Sequence, residues 1–329
     1  MSITLEQLET KQRQLMAAMP ISVDVLAKLN HQYKLDLAFN STALSGKNIT
    51  VDAAKEVVEN WQNSQARDLI ETHNHALAWE YVRHLANTIK TKDISQAEIL
   101  HIHRILMNKV DSVHAGQYRT GTVRNEPNEK VNVAMAEMVQ WLNGNHTKHP
   151  VQIAADAHLK LITIHPFVEA NCRTARLLMN LILLQNGYPP AVIRVDDQSR
   201  YVTDLEVAQA DAQLDDYYQL IFEATDRSLN LFLSSIASTA STELPEPAKK
   251  TRPRKISNKL LKIGQVAAAA NETIATIRFW TEEGLIPIYN TSVGGYQLYQ
   301  TKAVDRAREI RRLQTEKRMS IKELKNYKF

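Results

Sequence analysis

Through residues 1–235, apolar positions recur every three or four residues, the spacing of helices that bury one face. "AKEVVENWQNSQARDLIETHNHALAWEYVRHLANTI" (54–89), "SQAEILHIHRILMNKV" (95–110) and "AMAEMVQWLNGN" (134–145) all follow it. "QIAADAHLKLITI" (152–164) does too, and "RTARLLMNLILLQNG" (173–187) is a strong helix closed by Asn186-Gly187. "GQYRTGTVRNEPNEKVNV" (116–133) breaks the rhythm. Its short Val/Thr runs flank a turn-forming cluster, which predicts a β-hairpin against the helices or, equally, an irregular polar loop. The stretch 234–259, rich in Ser, Thr, Pro and charge, predicts a solvated linker. Beyond it, "IGQVAAAA", a turn at Asn271-Glu272 and "TIATIRFWTEEG" read as helix-turn-helix. "IPIYNTSVGGYQLYQ" reads as a two-stranded wing turning at Gly294-Gly295. The predicted class is mainly α, with no internal repeat.

At 329 residues the chain exceeds what one core usually holds. No apolar run approaches the ~20 residues that span a bilayer. The start, "MSITLEQLETKQRQ", has no secretory h-region, and the single cysteine, Cys172, suits a reducing cytoplasm. A cytoplasmic protein is expected. Net charge +4 hides an asymmetry: residues 249–329 carry 18 Lys and Arg against 7 Asp and Glu, a balance of +11. The remaining 248 residues carry 22 against 29, a balance of −7. A basic tail on an acidic body is the electrostatic footprint of nucleic-acid binding, or else a solubilising face.

The densest chemistry lies at 165–176, "HPFVEANCRTAR". Pro166 and Asn171 predict a loop that feeds a helix N-terminus, where unpaired N–H groups and the dipole favour an anion. Arg173 and Arg176 project from one face of the first turn, against the dipole, which suggests an external anion gripped by both. Glu169 is an oxygen ligand suited to magnesium bound with phosphates, and His165 suits a general base. The pattern fits phosphoryl or nucleotidyl transfer; the plainer alternative is a core histidine with the arginines paired to Glu169. Cys172, at a helix N-terminus beside an arginine, is a reactive thiol or simply a small filler. His73/His75 and His101/His103, two apart, do not share a helix face, which argues against a metal site.

The stretch resembles the Fic family signature H-P-F-x-[D/E]-G-N-G-R-x-x-R, matching at His165, Pro166, Phe167, Glu169, Asn171, Arg173 and Arg176. "AGQYRTGTV", "NGYPPAVI" and "SRYVTDLEVA" keep the family's order, so the resemblance covers roughly 37–235. It leaves 1–36 as an N-terminal helical segment and 236–258 as linker. It implies a helical bundle with a β-hairpin flap that aligns a target segment by strand addition. It also implies transfer of AMP from ATP to a Ser, Thr or Tyr hydroxyl of a protein. His165 would then take the hydroxyl proton, and Glu169 would hold magnesium. Asn171 and Arg173 would bind the α- and β-phosphates, Arg176 the γ-phosphate, and Tyr201 would line the base pocket. Two departures stand out. Ala170-Asn171-Cys172-Arg173 replaces the family's GNGR, and an alanine at positive φ costs roughly 1–2 kcal/mol. In "STALSGKN" (41–48), Ser45 stands where many Fic proteins carry an inhibitory glutamate. Both departures leave open a catalytically weak body that senses nucleotide and regulates transcription.

The tail, roughly 259–329, resembles the MerR-type winged helix, with Gly264, Thr276, Arg278, Gly284, Leu285, Gly295, Tyr296 and Tyr299 in register. The resemblance implies double-stranded DNA as partner, with the second helix in the major groove. Thr273, Thr276, Arg278 and Tyr296 are the expected contacts. Gln297 replaces the wing arginine, which weakens the phosphate clamp. A protein partner is the alternative for this domain. The chain ends at Phe329, before the long dimerising helix of free-standing MerR regulators, so a homodimer is expected only through the Fic-like body.

Overall fold

The computed structural model describes residues 2–19, 21–88, 93–121, 130–144, 147–211, 213–242, 261–291, 297–316, 319, 321–325 and 327. They form two compact units, 1–243 and 244–329. Among the described residues no helix is long and apolar enough to cross a membrane.

Among the described residues the regular elements of the first unit are helices: α1 (Leu5–Ala17), α2 (Val23–Ala43), α3 (Val51–Glu59), α4 (Arg67–Thr88), α5 (Gln96–Met107), α6 (Val131–Leu142), α7 (Pro150–Ile164), α8 (Asn171–Gln185), α9 (Gln198–Asp211) and α10 (Asp215–Thr242). Helix α8 is the axis. It is buried almost all round from Asn171 to Leu183, as its run of leucine, isoleucine and methionine from 177 to 184, interrupted only by Asn180, favours, and α7, α4, α5 and α2 pack against it. Helix α2 runs unbroken past residue 37, and Leu8 and Leu15 of α1 join the same core as Leu177 and Leu181. Helix α10 reaches Thr242, so the first residues of the expected linker are helical; 243–260 lie outside the described residues.

The expected hairpin needs correction on one side. Residues 117–120 form no regular element and 121 is a bend, so no strand pairing is seen there, and 122–129 lie outside the described residues. Val131–Val133, expected in the second strand, are instead the first turn of α6. Their valines match strand propensity locally, but the spacing of Val131, Met135, Met138 and Leu142 buries a helical stripe, and packing decides.

The second unit has a three-stranded antiparallel sheet in the order β1 (Leu261–Lys262), β3 (Gln297–Tyr299), β2 (Asn290–Thr291). Strand β1 adds to the two strands expected of the wing. Helices α11 (Ile263–Ala270) and α12 (Ile274–Glu282) form the helix-turn-helix, with Asn271 left-handed at φ 60° in its turn. Helices α13 (Lys302–Glu316) and α14 (Ile321–Lys325) complete the unit, over a core of Val266, Trp280, Ile286, Tyr299 and Ile310.

Candidate functional site

The loop between α7 and α8 is pinned from three sides. Before Pro166 the helical region is disfavoured, and His165 takes a left-handed φ of 50° while its N–H still reaches Leu161 O at 3.0 Å. Inside the loop, Asn171 Oδ1 accepts from Phe167 N–H (2.9 Å), and Asn171 Nδ2 donates to Phe167 O (2.8 Å). The same Nδ2 lies 3.3 Å from each ring nitrogen of His165. Arg119, 4% exposed, donates its N–H to Pro166 O and its Nε to His165 O, both at 2.9 Å. The third pin is His103. Its Nδ1 accepts from Gly116 N–H (3.0 Å), so the proton sits on Nε2, which donates to Glu169 O at 3.2 Å. Its ring stacks on Phe167 at 3.8 Å, and burial pushes its pKa down to about 4, which keeps it neutral. Gly116 has no substitute here: a Cβ would stand 2.9 Å from Arg104 Cβ and 3.0 Å from Leu100 O, at φ +73°.

Ala170 caps α8 at φ 61°, ψ 16°, the left-handed conformation its glycine-like place implied. Past it, the N–H groups of Asn171, Cys172 and Arg173 have no intrahelical acceptor, so the helix start offers donors to an anion. The Asn171 amide is committed to the loop. What it presents to a phosphate is its backbone N–H.

Neither motif arginine hydrogen-bonds Glu169, whose carboxylate is instead paired with Arg67. Arg173, 2% exposed, lies 2.9 Å from Glu71 Oε2 as an ion pair without hydrogen-bond alignment, and its Nε has no hydrogen-bond partner. Glu71, fully buried, also faces Arg67 Nε (2.6 Å) and Lys47 Nζ (3.2 Å). Burial pushes the Glu71 carboxyl up, but Arg173, Arg67 and Lys47 outweigh it and hold it below the usual carboxylate range. Among the described residues Arg176 is bound only by neutral oxygens: Ser41 Oγ (2.9 Å), Ser41 O (2.8 Å), Ser45 Oγ (3.2 Å) and the phenol oxygen Tyr201 Oη (3.3 Å). Behind it runs an ordered relay. Tyr217 O–H donates to Ala155 O (2.9 Å) and so accepts from His158 Nδ1 (2.7 Å). His158 Nε2 then accepts from Tyr201 O–H at 3.1 Å, leaving the Tyr201 oxygen for Arg176. Burial, with Arg176, pushes His158 down to about 3, and burial pushes Tyr201 up to about 12. Both stay neutral.

The candidate site residues of the body all line one cavity of about 650 Å³: Ser45, His165, Glu169, Ala170, Asn171, Cys172, Arg173, Arg176 and Tyr201. The histidine pairs split as their spacing implied: His73 stacks on Trp61, while His75 is buried with neither ring nitrogen hydrogen-bonded. Among the described residues no group of three or more His, Cys, Asp or Glu converges as a metal cage. Sequence reasoning missed Lys47, Glu71, His103, Arg119 and His158. A signal existed for Glu71, an acid on the buried stripe of Asn74, Ala78 and Val82. The others depend on contacts between distant segments.

In the second unit, Thr273 caps α12: its Oγ1 accepts from Thr276 N–H at 3.0 Å and lies 2.8 Å from Thr276 Oγ1. Arg278 is exposed on the same helix, as is Phe279. Tyr296 lies outside the described residues. Part of the basic charge is structural. Arg311 makes a bidentate pair with Glu272 at the helix-turn-helix turn (2.5 and 2.6 Å) and covers the Trp280 ring, and Arg308 donates to Ala269 O.

Residues 93–183 match the Fic/DOC family model, and residues 261–328 match that of the MerR HTH family regulatory protein. The Protein adenylyltransferase Fic of Drosophila melanogaster is 30% identical over 254 residues, covering 74% of this chain and 49% of that protein. This chain therefore spans about half the length of the curated relatives it matches. Fic-1 from C. elegans superposes with a TM-score of 0.64 at 25% identity, over 70% of this chain and 70% of that one. A Fic domain containing signaling protein from Bacteroides thetaiotaomicron gives 0.60 at 26% identity, over 73% and 99%. The cavity motif, the surrounding helices and these relatives agree: the chain carries a Fic/DOC family domain, joined to a MerR-family helix-turn-helix domain.

Proposed function

We propose that the helical body transfers AMP from ATP to a Ser, Thr or Tyr hydroxyl of a protein, and that the C-terminal unit docks on double-stranded DNA. The observation that carries the transfer reading is Arg176, a buried guanidinium in the cavity of His165 with four neutral partners and no carboxylate. Such a charge is compensated well by a phosphate, whose oxygens match the guanidinium fork. Arg173 and the α8 N-terminus give the neighbouring phosphates their donors. His165, held by its carbonyl and its ring contact to Asn171, is placed to take the hydroxyl proton at a ring nitrogen.

Glu169 fits a magnesium ion. It offers a hard, 43% exposed carboxylate at the cavity, and one protein oxygen with phosphate oxygens and water suits this ion. When bound, Mg²⁺ would neutralise charge on the phosphates. Arg67 must release the carboxylate first. The +11 balance of the tail and the exposed Arg278 support the DNA reading, and the single cysteine suits a cytoplasmic setting.

The test is incubation of the full chain with labelled ATP and Mg²⁺, scored for labelling of the protein itself and of added proteins. His165→Ala should cut labelling by about 100-fold or more while ATP affinity stays within a few-fold. Equal labelling by both proteins removes the enzyme reading. A second reading, a nucleotide-sensing regulator, is favoured by Ala170 in a glycine conformation and by Arg67 clamped on Glu169. It predicts ATP binding without any labelling, and DNA affinity that changes when ATP is added.

A further inference from the structure

Between α2 and α3 the chain turns at Ser45-Gly46-Lys47, where Gly46 takes a φ of +77° that an L side chain rarely adopts. Ser45 and Lys47 line the same cavity as Arg173 and Arg176. Ser45 Oγ stands 3.2 Å from Arg176 Nη2, and Lys47 Nζ stands 3.2 Å from Glu71 Oε1. The turn thus spans the two motif arginines.

Charge gives the turn a purpose. Four cations, Lys47, Arg67, Arg173 and Arg176, stand against two carboxylates, Glu71 and Glu169: the first three pair with them, and Arg176 meets only neutral oxygens among the described residues. Glu206, exposed on α9, also lines the cavity but is paired with none of the four. The inner cluster keeps two positive charges in excess, and a polyphosphate would balance them. Lys47 is the cation best placed to move. Its side chain is 23% exposed on a long flexible stem, and Glu71 keeps Arg67 and Arg173 when Lys47 leaves it. Breaking this pair leaves no orphaned carboxylate.

We propose that the Ser45–Lys47 turn is a phosphate-gripping element, in which the Lys47 ammonium and the Ser45 hydroxyl hold the terminal phosphate and select nucleoside triphosphates over di- and monophosphates. The direction rests on the reading above, in which the α-phosphate lies beside His165. The remaining phosphates then extend along α8 past Arg173 toward Arg176, and the far end meets the turn. A carboxylate at position 45 would neutralise Arg176; the serine there leaves that charge available, and its hydroxyl, which donates to Ser41 O at 2.9 Å, turns from that carbonyl to donate to the phosphate.

The test is calorimetric titration of the full chain with MgATP, MgADP and AMP, for wild type and for Lys47→Ala, Lys47→Met and Lys47→Arg. Methionine keeps the stem and its packing, so it serves where alanine perturbs the fold, and circular dichroism checks each variant. Wild type should prefer ATP over ADP. Loss of the ammonium should weaken ATP by about tenfold or more, as expected for a charge-assisted hydrogen bond. ADP and AMP should change by less than about twofold, and Lys47→Arg should keep most of the preference. Equal loss for ATP and ADP, or no loss in either lysine-neutralising variant, overturns the proposal. ATP selectivity that depends on Lys47 in a protein that labels nothing would sink the transferase reading alone. Labelling that persists beside Lys47-independent ATP binding would sink this proposal alone. No nucleotide binding at all removes both.

Discussion

At the residue scale, Ala170 is where local conformation and chemistry pull apart. Its φ of 61° belongs to glycine, yet the methyl group packs at the edge of the body's core. Replacing it with glycine removes a left-handed penalty of roughly 1–2 kcal/mol but frees the unfolded chain by about 0.4–1 kcal/mol. Ala170→Gly should therefore stabilise the body by no more than about 1.6 kcal/mol, read as a small rise in the urea midpoint. If transfer is limited by the approach of this backbone to phosphate, labelling should rise with it. A midpoint that falls would show that the methyl's packing outweighs the strain. Glu169 poses a similar conflict, since the carboxylate offered to a metal is already paired with Arg67.

At the element scale, α8 and α12 use their N-termini differently. Helix α8 starts without a side-chain cap, leaving donors for a ligand, whereas α12 is closed by Thr273. If the C-terminal unit docks on DNA as proposed, its affinity must come from side chains along α12 and from phosphate contacts. Of the arginines around it, Arg311 serves the turn and Arg278 faces solvent. In the full chain, Arg278→Ala should weaken duplex binding with little effect on melting. If the contact is a phosphate, the salt slope should fall by about one. Arg311→Ala should destabilise the C-terminal unit on the order of 1–2 kcal/mol, because Glu272 is buried while Arg311 is half in water. Swapped outcomes, with Arg278 stabilising and Arg311 binding, would contradict this division.

On the scale of the whole molecule, the body's stability should depend on pH through its buried histidines. His75 and His158 are pushed down to about 3, chiefly by burial, and His103 to about 4. Their folded pKa values lie below the unfolded value near 6.5, so the native state holds them neutral. Stability is therefore full above that value and lost as pH falls toward 4. Each histidine steepens the loss by up to about 1.4 kcal/mol per pH unit. Denaturant titrations of the body's transition at pH 7 and pH 5 should differ on the order of several kcal/mol. A flat profile over that window would mean that the fold accommodates these histidines in their protonated form. Glu71, held low by three cations, contributes in the same direction at more acidic pH.

Several things were determined by the sequence alone, because they depend on neighbours in the chain. Helical periodicity marked the body's helices, and proline and asparagine marked the loop before α8; the left-handed φ at Ala170 was implied only by the resemblance to the Fic signature, which has glycine there. The charge asymmetry and the turn at Asn271 marked the C-terminal unit. At residues 131–133 local pattern misled, since valines that favour a strand were claimed by a helix with a buried stripe. Other features were decided only by tertiary structure. The sequence shows two arginines three residues apart; it does not show that one meets a buried glutamate from α4 and the other a serine pair from the end of α2. Nor does it show that His103 and Arg119 hold the motif loop by its carbonyls. Such contacts join residues tens of positions apart. Their identity depends on which faces meet once the apolar stripes are buried, and no local pattern records that.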